Sequence, residues 1–210
     1  MCPHSEMTDA RPRHVVGIVG SYRVDGVVDT AVGVLLARAR EAGATTRRIR
    51  LIERRIEFCT NCRSCMQTPG PSRGACVLVD DLDSTLAEID SADALVLGSP
   101  VNFGNVTAVT RCFMERCVGH AYWPWGQPAP RMRDSEPRRE AVLVASSAAP
   151  AWMGRWLTGA RPALAKLARL LGARPIATVW IGGVSRDVWP LPAHAQRRLQ
   201  ALGERLAGRC

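Results

Sequence analysis

Apolar residues fall into five short runs separated by stretches with helical spacing. The first run covers 14–19. A helical pattern follows over about 28–42, with Val32, Leu35, Leu36 and Ala39 on one face and Gly43 as a C-cap. In the second run, 46–51, Ile49 and Leu51 alternate with arginines, the half-buried pattern of a sheet edge. Asp80 and Asp81 then open a helix through Leu82, Leu86 and Ile89, with Asp81 as the N-cap. The third run, 92–97, is uninterrupted and reads as a strand covered on both faces, broken at Gly98-Ser99-Pro100. Helical spacing returns over 105–117. After a long loop, 120–139, the fourth run covers 141–145 and ends at Ser146-Ser147. A helical stretch over 152–171 carries Gly159 and Pro162 as points where it can split. The fifth run, 176–181, precedes a last helix over about 193–207.

Strict alternation of strands and helices predicts an α/β fold with a parallel sheet and right-handed crossovers. No internal repeat or linker divides the chain, so one domain is expected over 14–210, with 1–13 as a flexible leader. Ligands of such sheets sit beyond the carboxyl ends of the strands. Those ends are 20–23, 98–104 and 146–147, all rich in small or polar residues.

Composition removes several function classes. The 210 residues are 47% hydrophobic and 22% charged, ordinary for a chain with one sizeable core. Net charge is +9, yet Lys166 is the sole lysine and the arginines spread from Arg11 to Arg209, without a stripe or interleaved aromatics. That pattern argues against nucleic acid. No apolar run approaches the ~18 residues of a membrane span, and the polar start has no signal-peptide core. A cytoplasmic protein is expected. Eight cysteines in that compartment point to metal, redox chemistry or buried thiols, not to a disulfide framework.

Two motifs carry chemistry. Gly20-Ser21-Tyr22-Arg23 lies between a strand and a helix, where free N–H groups, the Ser21 hydroxyl and the Arg23 guanidinium suit an anion. G-x-G-x-x-G and G-x-x-x-x-G-K-[ST] are both missing, which leaves one terminal phosphate, or an ordinary strand-to-helix turn. Cys59, Cys62 and Cys65 stand three residues apart, with Cys76 beyond the 66–75 insert. Four such thiolates suit a [4Fe–4S] cluster; tetrahedral zinc and free thiols are the other readings. Cys112 and Cys117 read as buried small hydrophobes, and Cys2 and Cys210 suggest nothing specific. His4, His14, His120 and His194 are scattered without a metal-binding pair, and no catalytic acid or base is nominated.

Gly20-Ser21-x-Arg23, the Cys59/Cys62/Cys65…Gly74-x-Cys76…Asp80-Asp81 segment and the Gly98-Ser99-Pro100-Val101-Asn102-Phe103-Gly104-Asn105 run occur in this order. Together they resemble the flavodoxin-like NADPH-dependent FMN reductases, in particular the branch containing iron–sulfur flavoproteins. The resemblance covers 15–117 and continues more loosely over 146–183. It implies a three-layer flavodoxin-like fold, a five-stranded parallel sheet in order 2-1-3-4-5, bound FMN, and hydride transfer from NAD(P)H. It places the FMN phosphate on Ser21, Arg23, Gly26 and the backbone of Val27 and Val28, with Thr30 as a further donor. The isoalloxazine edge falls to Ser99, Pro100, Val101, Asn102, Phe103, Gly104 and Asn105, with Ser146 and Ser147 approaching from the next loop. A [4Fe–4S] cluster would use Cys59, Cys62, Cys65 and Cys76. The resemblance also implies a small-molecule or protein electron acceptor, such as a flavin or quinone, and a homodimer or homotetramer with neither nucleic acid nor membrane as partner. The Tyr122–Trp125 loop, with Trp152 and Trp156, then covers the flavin, meets a partner subunit, or fills core. The alternative is a non-catalytic flavin- or metal-binding redox-sensing module, which would not need paired ring loops.

Overall fold

The computed structural model describes residues 11–133, 136–185 and 190–208. Five strands, β1 (His14–Val19), β2 (Thr45–Arg50), β3 (Ala94–Asn102), β4 (Arg139–Ser146) and β5 (Ala173–Ile181), pair in parallel in the order β2-β1-β3-β4-β5. The helices are α1 (Val27–Glu41), α2 (Leu82–Asp90), α3 (Ala108–Arg116), α4 (Ala151–Leu157), α5 (Ala160–Leu170) and α6 (Ala193–Leu206). Alternate β1 residues point to opposite faces, as period-two geometry dictates. Val15 and Val19 join Val28, Val32 and Leu35 of α1 and Leu199 and Leu206 of α6. Val16 and Ile18 join Leu82, Leu86 and Ile89 of α2, Phe113 of α3, and Leu164 and Leu167 of α5. The two apolar layers hold the carboxyl ends of β1, β3 and β4 side by side.

β2 is the edge strand its alternation predicts, with Ile49 buried between exposed Arg48 and half-buried Arg50. Residues 1–10 of the expected leader, 1–13, lie outside the described residues; of the remainder, Arg11 is tied to both carboxylate oxygens of Asp93 at 2.9 and 2.7 Å. Several boundaries differ from the sequence reading, and the helix split it allowed for is present. β3 does not break at Gly98-Ser99-Pro100 but continues to Asn102, with Ser99 and Pro100 still in register with Ala145 and Ser146 of β4. Pairing with β1 has ended at Gly98, so Pro100 leaves no donor missing on that side. The helix expected from 105 begins at Ala108, because Asn105–Val106 folds back antiparallel on Val101 and Asn102. Thr107 caps it by accepting the Thr110 N–H at 3.3 Å. The 152–171 helix splits at Thr158 and Gly159 into α4 and α5, and Pro162 falls in the first turn of α5, where its missing N–H costs nothing.

At the start of α2 the two acids divide their work. Asp81 is the N-cap, as expected, but its carboxylate makes no cap bond and accepts the Arg55 N–H at 2.8 Å, while Asp80 Oδ1 accepts the Leu82 N–H at 3.0 Å.

Candidate functional site

A cleft of about 280 Å³ opens at the carboxyl ends of the strands, lined by Ser21, Tyr22, Arg23, Gly26, Val27, Val28, Pro100, Asn102, Ser146 and Val184. It unites the three loops that the sequence pattern placed there. The first loop is shaped by its own polar groups. Ser21 Oγ accepts the Arg23 N–H at 3.1 Å and donates to Arg23 O at 3.2 Å, while Asp25 takes a left-handed φ of 59°. Asp29 fastens the turn from inside α1. Fully buried, it accepts the Asp25 N–H at 2.9 Å and pairs with Arg50 at 3.1 Å and Arg48 at 3.4 Å on β2. Gly26 caps α1 without any side-chain bond, and Gly26, Val27 and Val28 line the cleft, so the start of the helix borders it, a position suited to an anion.

Behind this loop lies a buried hydroxyl lock. Gly20 N–H donates to Gly98 O at 2.7 Å, and Gly20 O accepts from Thr107 Oγ1 at 2.6 Å and Thr110 Oγ1 at 3.4 Å. Thr110 Oγ1 also donates to Ser99 Oγ at 3.3 Å. The loops after β1 and β3 are therefore one unit.

The other sequence-nominated positions lie off the cleft wall. Thr30 Oγ1 is occupied by Asp25 O at 3.1 Å. Ser99 belongs to the hydroxyl lock, and Val101 packs toward the core. Phe103 and Gly104 make the turn at φ of 48° and 71°; Phe103 is fully exposed, and Gly104 O accepts the Gly159 N–H at 2.7 Å. Asn105 Oδ1 accepts the Val106 N–H at 2.8 Å. Ser147 Oγ donates to Ala149 O and accepts from Trp180 Nε1, both at 2.9 Å. Val28, by contrast, does line the cleft, but its side chain is buried and it offers only its backbone. Sequence reasoning missed Tyr22, whose hydroxyl accepts the Val109 N–H at 3.1 Å, and Val184 beyond β5. Tyr22 stood inside the quoted motif; Val184 carried no signal.

The cysteine segment forms a second site. Cys59, Cys62, Cys65 and Cys76 line one small cavity together with Arg63 and Arg116. Gly74 makes the return possible: a Cβ there would stand 1.7 Å from Cys65 O, so the chain presses on its own backbone just before Cys76. Among the described residues no three ligating side chains are assembled as a metal-holding group. The thiols nevertheless share that one cavity. Burial pushes the Cys65 thiol up, and the neighbouring Cys76, Cys59 and Cys62 add to it, while the Ser64 hydroxyl lowers that of exposed Cys62. The tryptophan loop closes over this segment, not over the first cleft. Arg63 lies between the rings of Trp123 and Trp125, 4.0 and 4.1 Å from their centroids, and donates to Trp123 O at 2.6 Å. Cys112 and Cys117 are buried as expected.

His120 is the one histidine with a marked shift among the described residues. Burial pushes it down to about 4, against the pull of Asp90 and with Arg73, Arg139 and Arg133 adding to the fall. The folded chain therefore refuses a proton that the unfolded chain accepts below about 6.5. Stability from this group is complete above that pH and is lost as pH falls toward about 4, by roughly 1.4 kcal/mol per unit at most. Thermal melts of a His120→Gln variant should show a flatter decline across this window than the parent. Equal slopes would refute the assignment. The lowered carboxyls of Asp80, Glu88, Asp93 and Glu140 contribute chiefly below about pH 5, at the acid end of this window, in parent and variant alike.

Comparison with known proteins gives a consistent result. A family model described as NADPH-dependent FMN reductase matches residues 13–181. An iron-sulfur flavoprotein of Archaeoglobus fulgidus is 30% identical over 109 residues, 52% of this chain and 47% of that protein. One of Methanocaldococcus jannaschii is 35% identical over 102 residues, 49% of this chain and 50% of that protein. The chain thus spans about half the length of the curated relatives it matches. Among solved structures, an azoreductase from Bacillus anthracis superposes with a TM-score of 0.63 at 17% identity, covering 93% of this chain and 97% of that one. An NAD(P)H:quinone oxidoreductase from Methanothermobacter marburgensis gives 0.61 at 17%, covering 93% and 98%. These likenesses show the flavodoxin-like fold.

Proposed function

The chain belongs to the NADPH-dependent FMN reductase family, and from that premise we propose that it holds FMN in the three-loop cleft and oxidises NAD(P)H there. It is an oxidoreductase; the acceptor, proposed here, is a flavin, quinone or similar small molecule, or a redox protein. One observation carries the reading: the cleft joins Ser21, Arg23 and the uncapped start of α1 to Pro100, Asn102 and Ser146 across three adjacent strand ends. An anionic tail and a planar ring need that combination.

Bound FMN supplies the hydride chemistry itself. The chain's own groups bind and orient. Ser21, Arg23 and the N–H groups at the start of α1 would hold the phosphate, and Pro100 and Asn102 at the β3 end, with Ser146, would hold the ring. The buried Thr107–Thr110–Ser99 hydroxyls fix the spacing between those two loops. The four thiols of Cys59, Cys62, Cys65 and Cys76 form the donor set a [4Fe–4S] cluster uses, and they share one cavity; such a cluster would carry single electrons onward. We place the protein in the cytoplasm as a homodimer or homotetramer. No observation favours the non-catalytic sensing module.

Anaerobic FMN titration followed by NADPH tests the reading. The parent chain should bind FMN stoichiometrically, and NADPH should bleach the oxidised-flavin absorbance. Arg23→Ala removes a charge-assisted phosphate contact, of about 1.5–3 kcal/mol, and should weaken FMN roughly 10–100-fold. Failure of the parent to bind FMN, or unchanged affinity in the variant, would sink the placement.

A further inference from the structure

We propose that Arg116 is the positioning residue of the cysteine pocket: its buried guanidinium fixes Cys76 in the wall and sets a permanent positive charge beside the four thiols. The proposal rests on the reading that these cysteines hold an iron–sulfur cluster.

Arg116 is the last residue of α3, and its side chain is 1% exposed, facing an Asp80 side chain that is 0% exposed. Burying two charges costs several kcal/mol per ion, and an apolar pair would serve packing as well or better. The geometry indicates what the pair is for. Asp80 is held rigid from the far side, accepting the Glu57 N–H at 2.8 Å and the Leu82 N–H at 3.0 Å. The Arg116 fork meets it through Nη1 at 2.5 Å and Nη2 at 3.2 Å. Nη1 also donates to Glu57 O at 2.7 Å, two residues before Cys59, and Nη2 donates to Cys76 Sγ at 3.4 Å. One guanidinium therefore joins the two ends of the cysteine segment to each other and to α3.

This arrangement does more than fasten a loop. Asp80 cancels the charge of Arg116 at long range, but the N–H that points at sulfur is local. As ligands of a cluster the four sulfurs would be thiolates that repel one another, and an N–H donor with positive charge in the wall offsets that repulsion. Hydrogen bonds to sulfur and local net charge are also the levers that set a cluster's reduction potential. The second arginine of the wall, Arg63, is differently engaged, stacked between Trp123 and Trp125.

The test uses anaerobically purified holoprotein of the parent, Arg116→Lys, Arg116→Gln and the double variant Asp80→Asn/Arg116→Gln. The double variant avoids a lone buried carboxylate, so misfolding cannot stand in for the effect. Iron and labile sulfide per chain, iron release to a chelator, the midpoint potential and flavin content are measured. Arg116→Gln and the double variant should hold iron roughly tenfold more weakly, the usual loss for a removed outer partner. Their potential should move negative while flavin content stays that of the parent. Arg116→Lys keeps charge but loses the fork, and should restore potential more than iron retention. If the parent holds iron and both Gln-bearing variants match it in retention and potential, the role of Arg116 is overturned alone. A parent without iron overturns the cluster reading, and this proposal with it.

Discussion

Gly20→Ala should abolish stoichiometric flavin binding and lower the melting temperature, and adding Thr110→Ala should restore part of both. A Cβ on Gly20 would stand 1.8 Å from Thr110 Oγ1, 3.1 Å from Thr110 Cβ and 3.4 Å from Gly98 O. The first contact is impossible, so either the loop moves or the Thr110 hydroxyl turns away. Turning it breaks bonds to Thr107 Oγ1 at 2.8 Å and Ser99 Oγ at 3.3 Å, all among buried groups. Each stranded buried hydroxyl costs about 1–3 kcal/mol, and overpacking costs a similar amount. A loss of roughly 3 kcal/mol corresponds to about 6–12 °C in a chain of this size. Moving the loop instead carries Ser21 and Arg23 away from Pro100 and Asn102, and the cleft no longer spans phosphate and ring together. Removing the Thr110 hydroxyl deletes the worst contact and leaves a tight but bearable one at Cβ. Thermal melts and FMN titration of the single and double variants decide it. A Gly20→Ala chain that melts and binds like the parent would show that the hydroxyl lock is slack.

The sequence pattern was enough to locate the cleft because its parts are strand ends. Apolar runs mark β1, β3 and β4, and whatever follows a parallel strand lies at one edge of the sheet. Ser21, Arg23, Pro100, Asn102 and Ser146 come from that rule, and all five line the cleft. What the pattern could not show depends on contacts between distant residues. Thr107 and Thr110 read as ordinary positions in a helical stretch, yet they bridge to Gly20, about ninety residues earlier. Ser99 and Ser147 look like ligand hydroxyls, but internal partners occupy them. Asp29 sits on a helix face as any first-turn acid would, and only the neighbouring β2 arginines explain its burial. The tryptophan loop is the clearest case. Trp123 and Trp125 gave no hint that Arg63, sixty residues before, would lie between them.

Gly74→Ala should do the reverse of Gly20→Ala, leaving flavin in place and emptying the cysteine pocket of iron. Here the clash is with backbone, at 1.7 Å to Cys65 O, 2.7 Å to its carbonyl carbon and 3.1 Å to its Cα. No side-chain rotation relieves it. Cys65 O is also an acceptor for Arg133 Nη2 at 3.2 Å, and Gly74 N–H donates to Gly119 O at 3.1 Å, so both sides of the contact are pinned. The 66–75 insert must swing out, and Cys76, two residues on, leaves the wall it shares with Cys59, Cys62 and Cys65. A site of four thiolates reduced to three loses its cluster. None of the residues lining the cleft where we propose FMN binds belongs to this segment, so flavin per chain should stay within about twofold of the parent, a change below 1 kcal/mol. Ser72→Ala, in the same insert but without that backbone contact, serves as the control and should keep both groups. Iron, sulfide and flavin analysis of the three proteins reads the result directly. Iron retained in full by Gly74→Ala would mean that Cys76 is not a ligand. Flavin lost along with iron would mean that the two sites are one structural unit, and the independence argued from their separate loops would fail.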